Sequence, residues 1–319
     1  MKRLLSFAWL VVGGAVGCLL MSGCQRSTTH ARTDLTQRPI SVTCTTGLLA
    51  DLVSQVGGSR VQVTLLMGPG IDPHQYRPSA GDQARLHQAD LIIYHGLHLE
   101  GKMVDVLERL GQRQPSKQKV VAVASFIPTD LLRPASEGFE GTYDPHFWFD
   151  VTLWMRAAAG LRDTLIELDP AHTDHYRQQS AAYLAKLEQL HQEVIAKVQT
   201  IPPPQRVLIT AHDAFYYFGQ RYGLEVRGLQ GISTASETST RDVQALAKFI
   251  RERRIRTIFT ETSVPEQHLR AMLQAVGGEV RLSPLPLYSD ALGEPGTPAD
   301  NYLGMIRHNV DAIVAGLRL

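Results

Sequence analysis

The sequence predicts an α/β fold in which two lobes, each with a mainly parallel sheet, are joined by one long rigid helix. Three observations carry that expectation. Short β-rich runs alternate with helical stretches through the first half of the chain, the signature of parallel α/β architecture. The alternation restarts in the second half. Between the halves, from Asp169-Pro170 to Pro202, lies a helical pattern broken by neither Gly nor Pro.

The elements follow in order. Ile40 opens the first strand (ISVTCT), and a helix over 48–56 is closed by Gly57-Gly58. A second strand over 61–66 stops at Gly68-Pro69-Gly70, a helix over 78–88 leads to a strand over 89–94, and 120–123 forms another. Asp150 is placed to cap a helix carrying Trp154, Ala158, Leu161 and Leu165 on one side. The long helix then shows a stripe of Leu184, Leu187, Val194 and Val198. About 30 residues of helix span roughly 45 Å, longer than a lobe needs for its own packing, so the helix reads as a backbone joining two lobes. A coiled-coil dimer would need a longer, unbroken stripe. Beyond it come strands over 206–210 and 224–227, a helix over 240–252, a strand over 255–260, a helix over 266–276, a strand over 279–282 and a closing amphipathic helix over 301–317. No repeat relates the two halves at the sequence level. The lobes are expected at 39–168 and 201–319, with the linker helix at 169–200.

The N-terminus points outside the cytoplasm. Lys2 and Arg3 precede an apolar stretch from Leu4 to Leu20 that barely reaches spanning length and holds three glycines. It ends in Met21-Ser22-Gly23-Cys24, which resembles a bacterial lipobox with Met in place of the usual Leu. Residues 1–23 are therefore expected to leave as a signal peptide and Cys24 to be lipidated. Acylation would put two or more chains into the bilayer, enough for stable anchoring to membrane lipid. Residues 24–38 are polar and aperiodic and read as a flexible tether. Cys18 leaves with the signal and Cys24 carries lipid, so Cys44 is the only free thiol, a small core residue on an apolar strand. One thiol makes neither a disulfide nor a cysteine-rich metal site.

Nothing in the net charge of +1 over 319 residues points to nucleic acid, which would want a clustered basic face. Chemistry resides instead in four loop positions. His74 lies in 70–76 (GIDPHQY) after the second strand, and His146 in 144–150 (DPHFWFD) before the capped helix. His212 follows the strand at 206–210, and Asp290 follows the last strand in 287–293 (LYSDALG). Ligands of open α/β sheets collect at the carboxyl ends of strands, so these loops should face one crevice, with two side chains from each lobe. Three imidazoles and a carboxylate suit a borderline divalent ion: imidazole favours Zn2+ and its neighbours, and the carboxylate tolerates harder Mn2+. Asp72, Asp213 and Asp144 are candidates to orient the rings. Spacing alone does not select ligands among 12 histidines. His87, His95, His98, His172, His175, His191, His268 and His308 read as polar loop or internally satisfied histidines.

The same segments resemble the solute-binding lipoproteins of zinc/manganese ABC importers, the TroA-like group. The likeness runs through 70–74, 89–100 (ADLIIYHGLHLE), 144–154 (DPHFWFDVTLW), 208–218 (LITAHDAFYYF), 258–264 (IFTETSV) and 288–293 (YSDALG). It implies metal ligation by His74, His146, His212 and Asp290, and two lobes whose closure is restricted by a long helix. It further implies an extracytoplasmic, membrane-anchored monomer that captures Mn2+ or Zn2+ as transported ligand and delivers it to an ABC transporter permease, with no enzymatic activity. Glu261 matches a family position near the site, with a structural role at a strand end as its simpler reading. Manganese-biased relatives can carry Glu where this chain has His212, whereas dedicated zinc receptors often have a histidine-rich loop that residues 111–142 lack. The choice of ion stays open. Two other classes compete. An exported metallohydrolase would need an open coordination position and a general base. A receptor for metal chelates such as haem or siderophore would need a roomy cleft lined by arginine and aromatics.

Overall fold

The computed structural model describes residues 35–112, 118–136, 138–236, 239–278 and 280–318. The expected signal segment, Cys24 and the tether as far as residue 34 lie outside the described residues. The end of the tether stretch is already docked: Leu35–Gln37 forms a single 3-10 turn, and Arg38 grips Asp90 through two hydrogen bonds of 2.6 and 2.8 Å.

In the first half, β1 (Ile40–Thr46) is central and pairs with β2 (Val61–Met67) and β3 (Leu91–Tyr94), while β4 (Lys119–Ala122) extends the sheet from β3. The order is β2-β1-β3-β4 and every pairing is parallel. Parallel neighbours require crossovers, supplied by α1 (Gly47–Gly57), α2 (Ala80–Gln88) and α3 (Val104–Gln112). α2 starts two residues later than expected because Ser79 and Asp82 form a reciprocal capping box. α4 (Val151–Leu168) starts where its cap dictates, with Asp150 accepting from Thr152 N at 2.9 Å.

The helix α5 (Thr173–Gln199) runs for 27 residues. Its buried stripe is Tyr176, Ser180, Tyr183, Leu187, Leu190, Val194 and Val198. Tyr183 takes the inward position expected of Leu184, which lies at the edge. In the second half, β5 (Val207–His212) pairs in parallel with β6 (Glu225–Gln230) around α6 (Tyr216–Tyr222). β7 (Thr257–Ile258) pairs with β8 (Arg281–Leu282), flanked by α7 (Thr240–Glu252) and α8 (Gln267–Val276). Phe259 N donates to Ile209 O at 2.8 Å, setting the two strand pairs side by side. β7 is shorter than its apolar run suggested because Ile255 N still bonds back to Ile250 O at the end of α7. α9 (Tyr302–Leu317) closes the chain.

α5 packs on α1 and α4 from one half and on α9 and α6 from the other. One hydrophobic cluster consequently runs through both halves, from Ile40 and Leu49 by way of Trp154 and Leu187 to Phe215 and Val310. α9 is also pinned to the first half: Tyr302 stacks on Trp154 with ring centres 5.0 Å apart, and its hydroxyl donates to Trp148 O at 2.7 Å. Among the described residues no helix is long and apolar enough to cross a membrane.

Candidate metal centre

Four loops bring their side chains to one point, and local hydrogen bonds account for each placement. The loop after β2 turns at Gly70 (φ +69), and Asp72 Oδ1 accepts from His74 N at 2.9 Å, a self-closing Asx turn. His146 precedes α4, and Asp144 Oδ1 accepts from both its backbone N (3.0 Å) and its ring Nδ1 (2.7 Å). His212 ends β5, where Glu261 Oε1 accepts from its backbone N at 2.9 Å and Oε2 stands 2.6 Å from Nδ1, off the line of the ring N–H. Asp290 follows a segment held at Tyr288, whose backbone N and O both bond to the Asn309 side chain on α9 (2.9 and 2.7 Å). Trp148 Nε1 also donates to Ser289 O at 3.2 Å.

A carboxylate stands at Nδ1 of both His146 and His212, hydrogen-bonded at His146, and each Nε2 faces inward. The inward atoms converge. His74 Nε2 lies 3.3 Å and His212 Nε2 3.4 Å from His146 Nε2. Asp290 Oδ1 is 3.5 Å from His146 Nε2, and Oδ2 is 3.4 Å from His212 Nε2. One donor atom from each of the four residues falls within 4.8 Å of all the others, and all four residues are buried. An ion bonded at 2.0–2.1 Å to tetrahedral ligands spaces them about 3.3 Å apart. Four of the separations, 3.3–3.5 Å, lie close to that figure, and the donor atoms all fall within 4.8 Å of one another. Neither Asp290 oxygen accepts a hydrogen bond. A buried carboxylate without a hydrogen-bond partner is a costly arrangement that a cation resolves.

The electrostatics agree. Burial opposes a proton on every ring, and at His74 it wins, drawing the pKa down to about 3. At His146 burial is outweighed by Asp144 and then Asp290, and the pKa rises. At His212 Glu261 and Asp290 overcome burial and lift it well above the ordinary imidazole value. Asp290 itself, despite burial, is held well below the usual carboxylate range by His212 and His146. The neighbouring carboxylates thus favour a proton on His146 and His212, and a divalent cation binding there competes with it.

The structure brings together all four positions singled out in the sequence, His74, His146, His212 and Asp290. Of the three aspartates expected to orient the rings, only Asp144 does so. Asp72 serves the backbone of His74, and Asp213 pairs with Arg133. The second ring-orienting carboxylate is Glu261, for which the simpler reading was a purely structural role. The register carries its signal: Phe259 bonds to Ile209, so Glu261, two residues on, lies level with the end of β5. Six of the other histidines have local partners, His95 with Pro145 O, His98 with Glu140, His172 with Asp169, His175 with Gly57 O, His191 with Tyr222 and His308 with Pro286 O; His87 is exposed, and the His268 side chain lies outside the described residues.

Comparison with known proteins gives a consistent set of likenesses. Residues 42–316 match the family ZnuA, described as zinc-uptake complex component A, periplasmic. The manganese-binding lipoprotein MntA of Bacillus subtilis is 41% identical over 307 residues, covering 93% of this chain and 95% of that one. The metal ABC transporter substrate-binding lipoprotein SloC of Streptococcus mutans is 28% identical over 302 residues, covering 94% and 96%. The solved structure of the periplasmic zinc-binding protein TroA from Treponema pallidum superposes with a TM-score of 0.83 at 44% identity, covering 88% of this chain and all of that one.

Proposed function

We propose, from the premise that this chain belongs to the zinc-uptake complex component A family, that it is an extracytoplasmic receptor which captures Zn2+ or Mn2+ between its lobes and delivers the ion to an ABC transporter permease. The observation that carries this reading is the convergence of three imidazole nitrogens and an unpartnered carboxylate, within 4.8 Å of one another, in a fully buried point. His74, His146, His212 and Asp290 are the ligands. Asp144 and Glu261 hold two of the rings.

Binding rather than catalysis suits such a site. A hydrolytic metal centre keeps one position open to water and a base beside it. Here four ligands from both halves enclose the ion, and the adjoining carboxylates are engaged with the rings. A chelate the size of haem finds no room between donor atoms a few ångströms apart. For one N/O site Zn2+ binds more tightly than Mn2+ as a matter of coordination chemistry, so a manganese role would rest on supply rather than on preference. Relatives named for either ion support both assignments.

The proposal includes the envelope arrangement: signal peptide 1–23, acylated Cys24 in the membrane, tether to residue 38, lobes at 39–168 and 201–319 around the helix at 169–200, acting as a monomer. The test is competition titration of metal-free protein with Zn2+ and Mn2+. Asp290→Ala and His212→Ala should each weaken binding by orders of magnitude with an unchanged circular dichroism spectrum. Wild-type affinity in either variant refutes the ligand assignment.

A further inference from the structure

Arg133 is mostly buried and lies between the loops that carry His146 and His212. Its Nη1 is 3.1 Å from Asp144 Oδ2 and 2.9 Å from Asp213 Oδ2, so one nitrogen spans two carboxylates. Asp144 is the residue whose other oxygen holds His146 by ring and backbone, and Asp213 directly follows His212. The guanidinium carbon sits 4.0 Å over the Tyr216 ring at the start of α6. The Arg133 backbone repeats the connection: its N donates to Tyr217 Oη at 2.9 Å, that hydroxyl donates to Asp144 O at 2.9 Å, and Asp144 N donates to Arg133 O at 2.9 Å.

We propose that Arg133 is a positioning residue of the metal centre, a clasp that fixes the distance between the His146 loop and the His212 loop and so sets how fast the ion leaves. The inference rests on the metal-receptor reading above. A charge-assisted contact to each carboxylate is strong and directional, and the planar head on Tyr216 is a geometry that a lysine does not reproduce. The side chain is mostly buried, with 20% exposure, which limits screening of the pairs by solvent. The ligands His146 and His212 come from opposite halves of the chain, and the separation of their Nε2 atoms is the one a tetrahedral ion requires. A tie that holds this spacing before the ion arrives preorganises the site. Release then requires the tie to stretch.

The experiment measures ion release from the full-length protein loaded with Zn2+, by mixing with excess chromophoric chelator in a stopped-flow instrument. Arg133→Gln and Asp213→Asn should each speed release about ten-fold, the lower end of what a partner beyond the direct ligands contributes. The double variant should release no faster than the faster single one, because both changes cut the same connection. Arg133→Lys, keeping charge without the planar head, should fall between wild type and Arg133→Gln. Should Arg133→Gln fold poorly, Asp213→Asn still decides, since it leaves the Arg133–Asp144 pair in place. Release at the wild-type rate in Asp213→Asn, or effects of the two single changes that simply multiply, overturns the clasp. Failure of wild-type protein to take up Zn2+ or Mn2+ at all would instead refute the functional reading on which the clasp depends.

Discussion

Glu261→Gln tests the tautomer argument with almost no change in shape. Glutamine keeps one oxygen to accept from His212 N, now 2.9 Å from Glu261 Oε1. Its amide then presents N–H groups to His212 Nδ1, where Oε2 stands at 2.6 Å. Two donors cannot face each other, so the ring is driven to protonate Nε2, the atom proposed above to bind the ion. The lost charge can be sized. The carboxylate stands about 6–7 Å from the ion position across the ring and one coordination bond. At an effective dielectric of 20 its attraction for a dication there is about 5 kcal/mol. The same carboxylate favours the proton that the ion displaces from His212, by about 3 kcal/mol at a mean distance of roughly 5 Å. The difference, about 2 kcal/mol, corresponds to roughly 30-fold in affinity. That lies inside the 10–100-fold range typical of groups that orient a metal-bound histidine. The assay is Zn2+ competition against a chelator of known affinity at pH 7.5, with circular dichroism as the control for folding. Affinity within two-fold of wild type would show that Glu261 neither sets the tautomer nor contributes charge.

Further outcomes follow from the titrating groups and from backbone packing. Imidazoles whose folded pKa is raised stabilise the protein fully below the unfolded value of about 6.5 and lose that contribution as pH rises through the folded value. His146 and His212 are of this kind, so metal-free protein should lose melting temperature above neutrality. His74 and His95, with pKa drawn down by burial to about 3, act oppositely: the unfolded chain takes up their protons first, and stability falls as pH drops below 6.5. Calorimetry from pH 5 to 9 in a chelating buffer should show a maximum near neutrality. Saturating Zn2+ should add about 4 kcal/mol at a thousand-fold excess over the dissociation constant, and should flatten the alkaline limb by displacing the protons. Gly228→Ala is expected to lower both stability and metal affinity, because a Cβ there would lie 2.4 Å from Asp213 N and 2.5 Å from His212 C. Titration and melting of that variant alongside wild type check it.

The fold was legible because its signals are local. Alternating apolar runs, the glycines after α1 and β2, Asp150 at the start of α4 and an unbroken helical stretch before Pro202 each act within a few residues. The boundaries of β7 and β8 were not, since a two-residue pairing is decided by neighbours such as Ile209 and not by the strand's own composition. At the site, strand ends and loop positions pointed to the four convergent residues, while their mutual distances belong to tertiary structure. Asp144 was one of three aspartates that sequence adjacency offered, and adjacency alone did not separate it from Asp72 and Asp213. Glu261 and Arg133 act on loops 49 and 11 or more residues away, and only the register of β7 on β5 and the path of the chain before α4 bring them there.

The shared core along α5 carries a consequence for what the receptor can accept. Aromatic stacking of Phe149 on Phe215, with ring centres 4.2 Å apart, and of Trp154 on Tyr302 welds the halves directly behind the ion position. Jaws hinged on such a seam cannot gape without tearing apart close-packed rings. Selection therefore falls on the size and bonding of a naked ion, and bulky complexes are turned away by architecture before any ligand is consulted.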